Sequence, residues 1–218
     1  MLVRSFPAPM FATNCWVIAP EAGGECIIVD PGMPDICVDI QAIIEELKVK
    51  PVAALITHGH LDHTFSVTPL ADGYEIPTYV HAEDRRYIKD PAGIHGPEFL
   101  KLLQEMKFSE PEKVVELNNG TVIDLLGMKI TAIHAPGHTR GSVMYTVNSE
   151  LLLSGDVLFA GSIGRTDLPT GDSKEMTKTL TMKVLTLSDD LRVLPGHGPE
   201  TTIKFERKNN PYLKELAP

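Results

Sequence analysis

Three histidines and an aspartate fall within six residues, His58-Gly59-His60-Leu61-Asp62-His63, directly after the apolar run Val52 to Ile56. Imidazole nitrogen and carboxylate oxygen are the donors that zinc and similar divalent cations take. Along extended backbone His58 and His60 project the same way, because side chains alternate with a period of two. A helix starting near Asp62 turns that side chain and His63 in another direction, so one short segment can feed two neighbouring cation positions. Gly59 has no Cβ and lets the loop come close to a metal. A polar loop with solvated histidines would explain any one of these residues. Four donors crowded at a strand end point instead to a metal centre.

Three other loops repeat the pattern. Pro136-Gly137-His138-Thr139 follows the expected strand Lys129 to His134, Gly155-Asp156 follows Leu151 to Ser154, and Gly196-His197-Gly198 follows Leu191 to Leu194. A turn would account for each alone. Together they describe a rigid scaffold carrying its donors on one functional rim.

The elements that must position these loops can be read coarsely. Thr13 to Ala19 and Glu25 to Val29 form a hairpin around Pro20-Glu21-Ala22-Gly23-Gly24. Asp30-Pro31-Gly32 stops the second strand. Asp35 caps a helix whose apolar positions Ile36, Ile40, Ile43, Ile44 and Leu47 recur at helical spacing. From His81 to Lys107 the chain reads as polar and helical, broken at Asp90-Pro91 and Gly96-Pro97. Strand signals return at Val114 to Leu117, Lys129 to His134, Ser142 to Val147 and Leu151 to Ser154. A helix from Ser173 to about Leu187, capped by Ser173, precedes the strand Leu191 to Leu194, and Glu200 to Asn209 forms a closing helix. Trp16 belongs to the core. His81 and His95 fall in the polar middle, and His134 ends a strand as either a packed residue or a neighbour of the rim. Strands and helices in this order make an α/β layered domain with helices on the outer faces of mixed sheets.

Composition bounds the rest. With 218 residues the chain suits one domain, and 43% hydrophobic and 22% charged residues are an ordinary globular balance. A net charge of −9 disfavours nucleic acid as a partner and leaves carboxylates for a cation. Cys15, Cys26 and Cys37 form no CxxC pair, so no disulfide framework is expected. The opening MLVRSFPAPMFATNC has no signal-peptide core, and no stretch approaches the roughly 20 apolar residues of a membrane span. A cytoplasmic protein without membrane contact is the expectation, as a monomer or small homo-oligomer.

The pattern THxHxDH, then GHT, GD and GHG, resembles the metallo-β-lactamase superfamily, and within it the glyoxalase II group of thioester hydrolases. The resemblance runs from the opening hairpin to Gly198. It implies a four-layered αββα sandwich, α/β (α+β) in class, with metals at one edge of both sheets. It further implies that His58, His60 and His138 hold one divalent ion, that Asp62, His63 and His197 hold a second, and that Asp156 bridges them. Zinc is the expected metal, with iron or manganese as alternatives. Asp62 and Asp156 would be catalytic, with Asp62 orienting a water whose pKa the two ions lower from ~15.7 toward ~7. Asp30 either orients ligands without touching metal or closes the turn before Pro31. Arg165, in Gly164-Arg165-Thr166-Asp167, either grips a glutathione carboxylate or pairs with Asp167 or Asp172. The implied substrate is a small thioester of the S-lactoylglutathione (hydroxyacylglutathione) type. Full-length glyoxalase II has a C-terminal helical region with further basic contacts and a Tyr after the last histidine. Here the chain reads His197-Gly198-Pro199-Glu200 and ends at Pro218. Similarity around Gly164 to Asp167 also suggests a persulfide dioxygenase with one iron on His58, His138 and Asp156, and a lactone or other ester hydrolase is a further alternative.

Overall fold

A computed structural model describes residues 1–33, 36–96, 99, 101 and 106–216. The proposed cap Asp35 and part of the expected helical middle lie outside the described residues. Two six-stranded mixed sheets face each other. The first has the order β1 (Leu2–Pro7), β2 (Asn14–Ala19), β3 (Glu25–Val29), β4 (Lys50–Leu55), β5 (Thr78–His81), β6 (Val114–Leu117). The second has β12 (Thr201–Thr202), β11 (Arg192–Pro195), β10 (Leu151–Gly155), β9 (Val143–Val147), β8 (Met128–His134), β7 (Val122–Leu125).

Alternation along the strands builds the layers. Trp16 and Ile18 of β2, with Ile27 and Val29 of β3 and Ala53 and Leu55 of β4, meet Ile130, Tyr145, Leu151 and Leu153 of the second sheet. Their neighbours Cys15, Val17, Ala19, Cys26, Ile28 and Ala54 face the other way, onto Ile36 and Ile40 of α1 (Ile36–Leu47). On the outer side of the second sheet, Met144, Leu152 and Val193 pack against Met176 and Leu180 of α6 (Ser173–Met182), Ile203 of α7 (Ile203–Asn209) and Leu213 of α8 (Pro211–Leu216). Strands apolar on both faces belong in such a covered position. The order helix, sheet, sheet, helix is the αββα sandwich.

Strand polarity then sets the rim. β3, β4 and β5 run parallel, β1 runs with β3 through two antiparallel pairings, and β10 pairs parallel with β11. β8 runs with β10 because both are antiparallel to β9. The carboxyl ends of all these strands therefore lie at one edge of the sandwich.

Several local expectations are corrected. The cap of α6 is Asp172, not Ser173: its Oδ1 accepts from Lys174 N at 2.8 Å and Glu175 N at 3.1 Å. A carboxylate one residue earlier satisfies two orphan amides and complements the helix dipole. That helix stops at Met182, and a short 3-10 turn, Val184–Thr186, follows. The closing helix begins at Ile203, not Glu200, because Thr201–Thr202 pairs with β11 and Thr202 caps the helix through Phe205 N at 3.1 Å. Residues 106–110 are not helical. His81 ends β5 and caps α4 (Ala82–Lys89), its ring nitrogen accepting from Glu83 N. α2 (Leu61–Thr64) is the helix expected near Asp62, whereas β1, β5, β7, β12, α3 (Val67–Gly73) and α8 carry no clear signal in the sequence. Most are too short to establish a period.

Candidate metal centre

The loop after β4 carries His58 and His60 on extended backbone, and α2 then turns Asp62 and His63 aside. His138 arrives from the β8–β9 loop, Asp156 from the end of β10 and His197 from the end of β11. Three sets of donors lie within 4.8 Å: His58, His60 and His138; His58, His63 and Asp156; and Asp62, His63 and His197. His138 Nε2 is 3.2 Å from His58 Nε2 and 2.8 Å from His60 Nδ1. His63 Nε2 is 3.4 Å from His197 Nε2, from Asp62 Oδ2 and from Asp156 Oδ1. Asp156 Oδ2 is 3.5 Å from His138 Nε2 and 3.4 Å from His197 Nε2, so this carboxylate stands between the two groups. Donors about 2.0–2.1 Å from a tetrahedral cation are themselves about 3.3 Å apart, the spacing most of these pairs show. The structure thus brings together all seven donors named from the sequence.

Partners behind the donors fix their aim. Asp30 Oδ1 accepts from Thr57 N at 2.8 Å, and its Oδ2 accepts from Thr57 Oγ1 at 2.7 Å and meets His63 Nδ1 at 2.9 Å. It does so from a left-handed turn conformation, φ 50°, before Pro31, so one residue closes the turn and orients the histidine. Thr13 Oγ1 donates to Asp62 Oδ2 at 2.7 Å. Asn14 Nδ2 donates to Pro195 O and Gly198 O, clasping the His197 loop. Gly196 admits a close approach: a Cβ there would lie 2.1 Å from Asp156 Oδ1.

Asp84 of α4 is a residue that sequence reasoning missed. Fully buried, it accepts from Gly59 N at 2.9 Å, Thr139 Oγ1 at 2.6 Å and Gly141 N at 2.8 Å, tying the His58–His60 loop to the His138 loop. Gly59 faces this helix and not the donor cluster. A Cβ there would meet Tyr87 Cβ at 3.0 Å and Asp84 O at 3.1 Å, which corrects the expected reason for the glycine. A single acidic residue in a polar helix gives no signal of such a role.

His95, which the sequence places in the plain polar middle, lies at the site in the structure. Its ring lies 4.9 Å from that of His60, and its Nε2 accepts from Leu61 N at 2.8 Å. His134 does not reach the donors; it stacks on His81 at 4.0 Å and bonds Arg140 O through Nε2. Arg165 directs Nε and Nη2 at Asp167, at 2.7 and 2.8 Å, while its backbone oxygen accepts from His138 Nδ1 at 2.7 Å.

The electrostatics divide the centre. Burial, then the surrounding imidazoles, push His58 and His60 well below the ordinary histidine range. They are therefore neutral lone-pair donors. Burial would also lower His63, but Asp62, Asp156 and Asp30 outweigh it and raise it to about 9. Burial likewise opposes, and the Asp156 and Asp62 hydrogen bonds overcome, in raising His197 to about 10. Asp62 stays well below the usual carboxylate range despite burial, through His63 and hydrogen bonds from His197 and Thr13. Asp156 is lowered in the same way by His63 and His197. The second group therefore keeps its carboxylates ionised and holds protons on His63 and His197 that a bound cation would replace. Asp156 Oδ1 and His60 Nε2 are buried with no hydrogen-bond partner among the described residues. An orphaned carboxylate oxygen beside three imidazoles fits a cation.

A cavity of about 320 Å³ opens over the cluster, with Phe11, Phe99 and Leu168 as its apolar wall. A larger groove, about 500 Å³, is bordered by Arg192, Glu200 and Phe205 away from the cluster, and its Arg192–Glu200 pair is self-neutralised.

A sandwich with seven convergent imidazole and carboxylate donors on the rim of both sheets defines a metallo-hydrolase fold. The chain belongs to the metallo-beta-lactamase superfamily, whose model matches residues 8–197. It is 30% identical over 218 residues to the hydroxyacylglutathione hydrolase GloC of Haemophilus influenzae, covering 100% of both chains. The crystal structure of the BLEG-1 B3 metallo-beta-lactamase superposes with a TM-score of 0.84 at 30% identity, over 97% of this chain and 99% of that one. A protein crystallised in a di-iron-bound form superposes with a TM-score of 0.78 at 30% identity, over 98% and 100%.

Proposed function

We propose that this chain hydrolyses a small-molecule thioester, of the S-lactoylglutathione type, at a centre of two divalent cations. The convergence of His58, His60 and His138 on one side of Asp156 and Asp62, His63 and His197 on the other carries this reading. Two bound cations would supply an activated water and polarise the scissile carbonyl. The chain's own groups do the rest. His58, His60 and His138 offer ring nitrogens to one cation, and Asp62 and Asp156 bring negative charge to the other. Asp62, held by Thr13, lines the cavity, where it can orient the water. Asp156 spans both groups, so neither can shift without the other.

Zinc is the proposed metal; the relative crystallised with two irons supports iron as the alternative. The GloC relative supports the thioester class. The full Asp62, His63 and His197 set distinguishes this reading from a one-iron dioxygenase, which would leave that set idle. The protein is proposed to work in the cytoplasm, as a monomer or small homo-oligomer without nucleic-acid or membrane partners. Among the described residues no helix is long and apolar enough to cross a membrane.

The test is direct. Metal-loaded protein is assayed with S-lactoylglutathione and a panel of other thioesters, and metal per chain is measured on protein purified without added metal. Turnover with about two ions per chain is expected. His60→Ala should lose both occupancy and turnover; full activity in that variant would contradict the assignment.

A further inference from the structure

Outside the seven donors, only His95 and Arg165 bring polar side chains to the wall of the cavity among the described residues. Arg165 has already turned its Nε and Nη2 to Asp167. His95 ends the short helix α5 (Ala92–His95), behind the fully buried Ile94, and its ring stacks on Phe99 at 4.3 Å. Its Nε2 accepts the backbone N–H of Leu61, one of the amides at the start of α2 that the helix itself cannot satisfy. A ring nitrogen that accepts an N–H carries no proton of its own, so the neutral ring bears its proton on Nδ1. Nδ1 meets no partner among the described residues, and the ring itself lines the cavity. A fixed ring with one nitrogen anchored and a donor left open on the cavity wall is a preorganised hydrogen-bond donor.

We propose that His95 is a catalytic residue whose Nδ1–H donates to the carbonyl oxygen of the bound thioester, holding that carbonyl beside the His58, His60 and His138 group. The inference rests on the thioester-hydrolase reading above. As the carbonyl oxygen gains charge during attack, this donor strengthens its hold without having to move. Phe99 fixes the ring plane, and the Leu61 amide fixes which nitrogen carries the proton.

Two substitutions separate the anchor from the donor. In His95→Gln an amide oxygen can still accept from Leu61 N, but no donor remains at the Nδ1 position. In His95→Asn an amide N–H takes the place of Nδ1, while the Leu61 contact is lost. With metal content measured for each protein, His95→Gln should lower kcat/KM tenfold or more at unchanged metal occupancy. His95→Asn should recover at least threefold over His95→Gln. Turnover of His95→Gln within twofold of wild type, or equal losses in both variants accompanied by loss of metal, would overturn the proposal. An independent readout is nitrogen-15 NMR of the imidazole in metal-free protein: a proton on Nδ1 is expected, and a proton on Nε2 rejects the assignment. Should wild-type protein turn over no thioester at all, the hydrolase reading falls, and the NMR result stands as the test of His95.

Discussion

His63 shows how much of the centre is decided by neighbours of the donors. Its Nε2 faces Asp62 and Asp156, while Nδ1 is held by Asp30, a residue that touches no other donor among the described contacts. Replacing Asp30 by Asn should weaken metal binding at the Asp62, His63 and His197 group by about 10–100-fold. The His58, His60 and His138 group should keep its ion; titration calorimetry with two resolvable sites checks this, and equal loss at both would refute it. The same carboxylates govern the pH response of metal-free protein. His63 at about 9 lies above its unfolded value of 6.5, so folded chains hold a proton there that unfolded chains have released. That stability is fully present below pH ~6.5 and is lost as pH rises toward 9. The thermal midpoint of chelator-treated protein should therefore fall across this interval, and a flat or rising profile would show that the proton is not held. Bound cations replace these protons, so metal affinity should fall as the solution is acidified.

Elements aim the donors through contacts that no local pattern announces. Asp84, on α4, joins two loops from different sheets through three hydrogen bonds. Asp84→Ala would strand buried donors, and losing such a network costs about 3 kcal/mol. A lowered denaturation midpoint together with weaker occupancy of the His58, His60 and His138 group is the expected outcome. Asp172→Ala instead removes a cap whose side chain bonds only the start of its own helix. A loss of about 1 kcal/mol with unchanged metal content is expected, which urea denaturation and metal analysis would establish. The capping error at Ser173 has the same origin. Asp172 and Ser173 are both good caps, and only the first observed helical residue decides between them.

Across the whole molecule, the donors bind the two sheets together. His58, His60, Asp62 and His63 hang from the first sheet, and His138, Asp156 and His197 from the second. Cation binding should therefore stabilise the entire sandwich in one unfolding transition, by about 4 kcal/mol per site at a thousandfold excess over Kd. Stepwise unfolding of a still-loaded half would contradict this coupling. Between the sheets, Tyr145 packs in the core and donates its hydroxyl to Ile56 O at 2.7 Å, just before the His58 loop. The sequence by itself determined the donor types, their seven positions and the strand-then-loop placement of each, because ligand chemistry and strand alternation are local properties. It also exposed the apolar runs from which two covered sheets follow. Only the tertiary structure decided that Asp84 clamps two loops, that Gly59 is small for α4 and not for a metal, and that His95 belongs to the cavity. Those roles depend on which distant segments meet, and that is set by strand polarity and sheet packing, not by the spacing of residues along the chain.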